Sequence, residues 1–171
     1  VSDHFQHFGG HDYACGFSLS ASRLPALTRE LNAQAESIDE GCFRRELPVE
    51  GQLTLGALDR EFFEGHQALE PFGAGNVQPA FAATGLSVGE VREFSAGCHA
   101  VGFKDGTGGL DAVIWPSEQA LIPLLRSGKE VSVAFQIEPD RYSSAGFRMT
   151  VLDVSAGDFP SARNESAPLA V

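Results

Sequence analysis

The sequence predicts an α+β chain in two unlike halves, a partial α/β domain followed by a five-stranded β-barrel. Three observations predict it. Before residue 70, apolar residues recur every three or four positions, the period of a helix face. From Phe81 onward they fall in short runs divided by glycine-rich or polar turns, the pattern of strands. Between the two lies Phe72-Gly73-Ala74-Gly75-Asn76, too rich in glycine for regular structure. The expected organisation is a first domain over 1–70, a linker over 71–80, a barrel over 81–157 and a disordered tail over 158–171.

In the first half, His4 to Phe8 reads as a short strand entering a Gly9-Gly10 turn, and Phe17 to Leu19 as a second strand. Ser20 and Ser22 offer helix caps. Leu24, Leu27, Leu31, Ala35 and Ile38 then form one apolar stripe, which predicts a helix over 23–38, and Pro25 is tolerated in its first turn. Asp39-Glu40-Gly41 ends it, and Cys42 to Leu47 is expected as a strand. A second helix, capped by Thr54, carries the stripe Leu55, Leu58, Phe62, His66 and Leu69 before Glu70-Pro71 stops it.

In the second half, Phe81 to Phe94 is a long first strand, expected to bend near Gly85 or Gly89. Gly97 to Lys104 and Leu110 to Trp115 form a hairpin across Asp105-Gly106-Thr107-Gly108-Gly109. Ser117 to Arg126 reads as a short helix distorted by Pro123. Glu130 to Ile137 and Gly146 to Val154 are the last strands, joined by a polar loop. The order β-β-β-α-β-β within about 75 residues is that of an oligonucleotide-binding (OB) barrel. Phe147, Met149 and Val151 share a face expected to be buried, leaving Arg148 and Thr150 to point outward.

Composition narrows the function classes. At 43% hydrophobic and 20% charged, the chain is globular rather than disordered. No apolar run approaches the roughly 18 residues of a membrane span, and no signal peptide is visible, so a cytoplasmic setting is expected. The absence of an initiator Met suggests an excised piece or a processed start. Cys15, Cys42 and Cys98 are odd in number and widely spaced, which argues against a disulfide framework or a cysteine zinc site. The net charge of −11 is unusual for a nucleic-acid binder. Residues 1–80 hold 5 Lys/Arg against 12 Asp/Glu and residues 81–157 hold 6 against 9, so any affinity for phosphate must come from a local patch or a partner domain.

The strongest local motif is Phe8-Gly9-Gly10-His11 followed by Ala14 and Gly16. Paired glycines let the backbone approach an anion and turn N–H groups toward it. A helix starting at His11 would aim its positive end at the same spot. The alternative is a tight strand-to-helix turn with His11 as a cap. The second motif is Leu69-Glu70-Pro71-Phe72-Gly73-Ala74-Gly75-Asn76, then Pro79 and Phe81. It can be a domain-linking turn with Asn76 in a left-handed conformation, or a contact for a nucleic-acid backbone.

Together these motifs carry a resemblance. The FGGHxxAxG pattern resembles the close of the DHH-associated substrate-binding domain. The LEPFGAGN segment, with OB-like strands behind it, is similar to the C-terminal part of RecJ-type single-stranded-DNA exonucleases. The resemblance implies a 5′-to-3′ exonuclease of DNA repair and recombination, with Mn²⁺ or Mg²⁺ held by a DHH domain absent from this chain. It implies that Gly9, Gly10 and His11 hold substrate phosphate beside that metal. The chain alone is therefore expected to hold no cofactor and to hydrolyse nothing. The implied partners are single-stranded DNA, the catalytic DHH domain and single-strand-binding or other repair proteins. Two departures stand out. The second barrel strand reads Cys98-His99-Ala100-Val101-Gly102-Phe103, where many relatives carry basic residues, and the Asp-His-His signature is missing.

Within the barrel, single strands bind by stacking bases on aromatics and passing phosphates along cations. Phe103, Trp115, Phe135, Tyr142 and Phe147 lie on or beside strands, and most are expected in the core. Tyr142 with Arg141 forms a stacking pair or an ordinary solvated loop. Lys104, Lys129 and Arg148 are further phosphate candidates, as is Asn76 of the second motif. His4 and His7 do not share a strand face, His66 lies on an apolar helix stripe as a satisfied core histidine, and His99 has no second ligand nearby. A different class of function stays open: a non-catalytic OB-type module whose acidic surface docks a replication or repair protein.

Overall fold

The computed structural model describes residues 2–11, 14–43 and 46–159. The chain divides into two compact units, Val1–Leu47 and Pro48–Val171. Most of the tail predicted as disordered, residues 160–171, lies outside the described residues.

The first unit begins with a 3-10 turn, Ser2–His4, and a hairpin of β1 (His7–His11) and β2 (Ala14–Ser18). The strands pair antiparallel with Phe8 opposite Phe17 and Gly10 opposite Cys15. Gly9 and Gly10 therefore sit within a strand rather than in a turn, and residues 12–13 lie outside the described residues. His11 ends a strand and starts no helix, so no helix dipole points at it. Gly10 is required sterically, because a Cβ there would lie 2.5 Å from the Ala14 carbonyl oxygen. After a 3-10 turn at Ala21–Arg23 comes α1, Leu24–Ala35, with Pro25 in its first turn as predicted. Ser20 takes the cap position of that 3-10 turn without a side-chain cap bond. His4 Nε2 meets Glu30 Oε2 at 2.7 Å, and Arg23 donates to the Asp3 carbonyl, tying the N-terminal turn to the helix. Of the predicted stripe only Leu27 is buried, while Leu24, Leu31 and Ile38 are about half exposed. The strand expected at 42–47 is replaced by a 3-10 turn, Glu40–Phe43, with residues 44–45 outside the described residues.

The second unit starts 23 residues earlier than the junction expected at 71–80. Residues 48–80 pack with the barrel through real pairings. β3 (Gly51–Gln52) runs parallel to β4 (Phe81–Val88), and the Glu50 N–H donates to the Ala80 carbonyl at 2.8 Å. A 3-10 turn, Leu55–Ala57, precedes α2, Arg60–Gln67. The cap of α2 is Asp59, whose Oδ1 accepts from the Phe62 N–H at 2.8 Å. Thr54 makes no side-chain cap bond. Leu55, Leu58 and Phe63 enter the main core, where the rings of Phe63 and Phe147 stack at 4.8 Å.

The barrel strands continue with β5 (Arg92–Ser95), β6 (Cys98–Lys104), β7 (Gly109–Ile114), β8 (Val131–Pro139) and β9 (Phe147–Ser155). Between β7 and β8 come a 3-10 stretch, Pro116–Leu121, and the single-turn α3, Ile122–Leu125, the distortion expected around Pro123. Pairings run β4–β8–β9–β7–β6 and return from β6 to β4 through Ser87 opposite Lys104 and Val88 opposite Phe103. β7 and β9 are parallel, and the other pairings of the ring are antiparallel. The predicted bend is present: Gly85 adopts φ +63°, β4 shifts register between Ala83 and Leu86, and the chain breaks before β5. Phe103, Phe135, Phe147, Met149 and Val151 are buried, each contributing roughly 1.5–3 kcal/mol of hydrophobic stabilisation. Thr150, expected to face solvent, is only 5% exposed, and its hydroxyl has no hydrogen-bond partner among the described residues.

The turn between β6 and β7 is organised by one carboxylate. Asp105 Oδ1 accepts from the N–H and hydroxyl of Thr107, both at 2.7 Å, and from the Gly108 N–H at 2.9 Å. Its Oδ2 accepts from the Leu55 N–H at 2.8 Å, joining the turn to the segment before α2. Desolvation opposes the charged form, but these bonds outweigh it and bring the carboxyl down to about 2 from its ordinary 3.8. A depressed carboxyl pKa stabilises the fold above pH 3.8, and that gain is lost as pH falls toward 2. Asp105→Ala is expected to lower unfolding stability at neutral pH by about 1–3 kcal/mol. In urea titrations the gap from wild type should narrow as pH falls through that window. A gap that does not narrow would remove the carboxylate's role.

His66 is buried as predicted, 5% exposed, yet it is not a satisfied histidine. Neither ring nitrogen has a partner among the described residues, and its ring lies 5.2 Å from Phe72 and 6.3 Å from Phe81. Desolvation lowers its pKa, partly opposed by the Glu70 carboxylate. The folded state keeps the ring neutral while the unfolded chain takes up a proton near 6.5, so stability declines as pH drops below 6.5 through the folded value. Replacing His66 with Leu should flatten the stability–pH slope below pH 6.5. The same slope in the variant would show that another group titrates there.

Candidate nucleic-acid interface

A groove of about 370 Å³ crosses the outer face of β5, β6 and β7 and is walled by the loop between β8 and β9. Its floor follows from strand register. Arg92 stands opposite Ala100, Ala100 opposite Val113, and Gly102 opposite Asp111. Directly opposed residues in an antiparallel ladder point to one face, so Ala100 and Gly102 leave a shallow floor between larger neighbours. Phe94, 54% exposed, stands at one side and Tyr142, 81% exposed, at the other.

The loop that carries Tyr142 has a fixed shape. The Asp140 N–H donates to the Gly146 carbonyl, the Gly146 N–H returns to the Ser143 carbonyl, and Gly146 takes φ +81°. Asp140 Oδ1 accepts from the Tyr142 N–H at 2.9 Å. Arg141 donates to the Tyr142 hydroxyl at 2.6 Å, and its guanidinium lies 4.8 Å from the ring centre. The two sequence candidates on this loop are thus brought together.

Arg148 lies half-buried in the groove wall, Nη1 3.5 Å from Asp140 and Nη2 3.9 Å from Glu138, with its guanidinium 5.7 Å from the centre of the Trp115 ring. Its charge is largely answered by those carboxylates. Among the described residues Arg92 has no ion-pair partner, and neither does Lys104, which lies on the same face of β6 as Ala100 and Gly102 but beyond the groove lining. Glu90, Asp111 and Asp140 line the groove with Arg92 and Arg148, so the site is not a cationic trough.

Asn76 is placed differently. Its amide nitrogen donates to the carbonyls of Leu69 and Pro71, both at 2.9 Å, and its backbone exchanges two hydrogen bonds with Gly73. The left-handed residue of this loop is Gly75, with φ +82°, not Asn76. Its donors therefore hold the loop closed. Gly9, Gly10 and His11 are exposed on the hairpin of the first unit. Sequence reasoning missed Arg92, Phe94 and Asp111. Arg92 and Phe94 both line the groove just past the Gly89 break, on either side of Glu93 where the register begins to shift, and Asp111 interrupts an otherwise apolar strand.

Among the described residues no group of three or more His, Cys, Asp or Glu side chains could hold a metal ion, and no helix is long and apolar enough to cross a membrane.

Comparison with known proteins agrees with this architecture. The family model described as the RecJ OB domain matches residues 49–146, more than half of the chain and nearly the start of the second unit. Two crystal structures of RecJ from Thermus thermophilus are similar in fold. The Mn²⁺ complex aligns with a TM-score of 0.59 at 23% identity, and the Mg²⁺ complex with 0.61 at 23%. Each alignment covers 94% of this chain but only 23% and 24% of the Thermus chains. No curated protein sequence matches. With the family model placed over α2, its preceding segment and the barrel up to the Tyr142 loop, the chain belongs to the RecJ OB domain family.

Proposed function

We propose that this chain is the substrate-handling C-terminal portion of a cytoplasmic 5′-to-3′ single-stranded-DNA exonuclease of repair and recombination. The observation that carries the reading is the groove across β5, β6 and β7, with a shallow Ala100–Gly102 floor between the exposed rings of Phe94 and Tyr142. Such a site accepts flat bases on aromatic faces while phosphates pass Arg92 on the lining and Lys104 and Arg141 beyond it. Arg148 shapes the wall more than it attracts phosphate. Gly9, Gly10 and His11 would meet phosphate in the first unit, beside a DHH domain that supplies Mn²⁺ or Mg²⁺. That metal would activate water for phosphodiester hydrolysis. The described residues offer it no seat, so no step is assigned to this chain beyond binding and orienting the strand.

The net charge of −11 and the carboxylates of the groove favour a second reading, a non-catalytic module that docks a repair protein. Titrating labelled single strands with the chain separates the two. Three unneutralised cations predict a log–log salt slope of roughly −2 for single strands. No binding at low salt would favour docking. Gly102→Val puts a branched side chain on the groove floor, where a Cβ meets nothing nearer than Asp111 at 3.7 Å. It should weaken binding about tenfold at unchanged stability, because loss of one stacking site is worth roughly 1–3 kcal/mol. Unaltered affinity would place the strand elsewhere.

In the full-length enzyme, His11→Ala is expected to slow cleavage while the fold is retained. An unchanged rate in single-turnover assays would remove the phosphate role.

A further inference from the structure

The groove carries a chemical feature that stacking and phosphate attraction do not use. Asp111 lies beside its floor, directly opposite Gly102 on the same face, and a Cβ on Gly102 would come 3.7 Å from its Oδ1. Asp111 is exposed, and among the described residues its carboxylate has no hydrogen-bond partner. The absence of a side chain at Gly102 leaves this carboxylate open to whatever rests on the floor.

We infer that Asp111 is a specificity-determining residue that selects guanine in the single strand bound by this groove, an inference that rests on the single-strand reading above. A carboxylate offers two acceptor oxygens side by side and no donor. It therefore matches an edge that presents two adjacent donors. Of the four bases only guanine does so, through N1–H and N2–H₂ of its Watson–Crick edge. On cytosine and adenine the amino donor is flanked by a ring-nitrogen acceptor. On thymine N3–H is flanked by two carbonyls. Each of these would set a lone pair against the second carboxylate oxygen. The base edge is free to be read because a single strand has no complementary base on it.

The surroundings fit a base better than a phosphate at this position. Glu90, Asp111 and Asp140 line the groove together, and like charge turns a phosphate away from the floor. Phe94 and Tyr142 flank the groove and give a base its faces. Arg92, on the row that runs through Ala100 and Val113, is displaced from the Gly102–Asp111 row by one alternation of the strand. Phosphate attraction and edge recognition thus occupy neighbouring rows of the same sheet face.

The test uses the 171-residue chain and fluorescently labelled oligothymidylates carrying one central substitution, either guanine, hypoxanthine, adenine or none. Anisotropy is read at low salt. Hypoxanthine keeps N1–H and lacks the 2-amino group, so it isolates the second donor. The guanine strand is expected to bind about tenfold tighter than the unsubstituted one, as a good bidentate pair allows. Hypoxanthine should fall between, and adenine should give no gain. Asp111→Ala should level the series, and Asp111→Asn, which turns one acceptor into a donor, should remove the guanine advantage as well. Equal affinity for all four strands in the wild-type chain would overturn the inference and leave the single-strand reading intact. An advantage for guanine that survives in Asp111→Ala would also overturn it. Failure of every strand to bind would defeat both.

Discussion

The barrel depends on a single strand serving two partners. β4 pairs with β8 along Phe81 to Leu86, then with β6 at Ser87 and Val88, before β5 carries the pairing onward along β6. The register shifts between Ala83 and Leu86, so the strand bends where one partner gives way to the other, as closing a sheet requires. Gly85 permits it by adopting φ +63°, a conformation that costs an L-residue with a side chain roughly 1–2 kcal/mol. Gly89 completes the turn: its N–H donates to the Gly102 carbonyl at 2.8 Å, and a Cβ there would meet that oxygen at 3.0 Å. Because the second glycine rests on Gly102, the bend that closes the sheet also sets β5 beside the groove floor. Closure and site are consequences of one backbone constraint.

The electrostatics of the groove follow from what those strands can carry. Arg148 is held by Asp140 and Glu138 and rests near the Trp115 ring, so its role is to fix the wall. Its Nε is buried without a partner among the described residues, a cost that the two ion pairs and the ring contact must offset. Desolvation of part-buried charges offsets much of the attraction between them, so these contacts organise the site more than they stabilise the fold. What is left for a polyanion is a short row of cations on a chain of net charge −11. On the proposed single-strand reading, affinity from such a surface would be modest and lean on stacking, which survives salt better than phosphate contact does.

The barrel was legible because its signals are local. Alternation between Phe81 and Val154, the Gly85–Gly89 break, the polar turn at 140–146 and the proline in the short helix each mark a backbone decision made by nearby residues. The first 80 residues were harder. Of the stripe expected for α2 only Phe62 and His66 lie on the helix, and Asp59 rather than Thr54 caps it, since the chain first spends Leu55–Ala57 in a 3-10 turn anchored by Asp105, 50 residues away. No local pattern announces such a bond. The two-residue β3 is invisible for the same reason: its identity lies in pairing with Phe81 and Ala82. The glycines before His11 read as a turn because turns are where glycine pairs usually fall, whereas Gly10 serves close backbone approach within a strand. Of the site, Tyr142, Arg141 and Arg148 were visible by position, while Phe94, Arg92 and Asp111 needed the register that sets three strands side by side.

That register also explains why the segment before the barrel belongs with it. Phe63 on α2 stacks at 4.8 Å on Phe147, whose neighbour Arg148 lies on the opposite side of β9 in the groove wall. Gln78 donates to the Ile137 carbonyl and its own carbonyl accepts from Gln136, fastening the end of the Asn76 loop to β8. β8 and β9 are the strands that hold the Tyr142 loop between them. Packing applied to the inner side of a strand limits how far its outer side chains can move, because interiors packed at near-crystal density resist displacement. Residues 48–80 therefore act as a brace, and the loop that presents Tyr142 is positioned by contacts made on the far side of the strands that carry it.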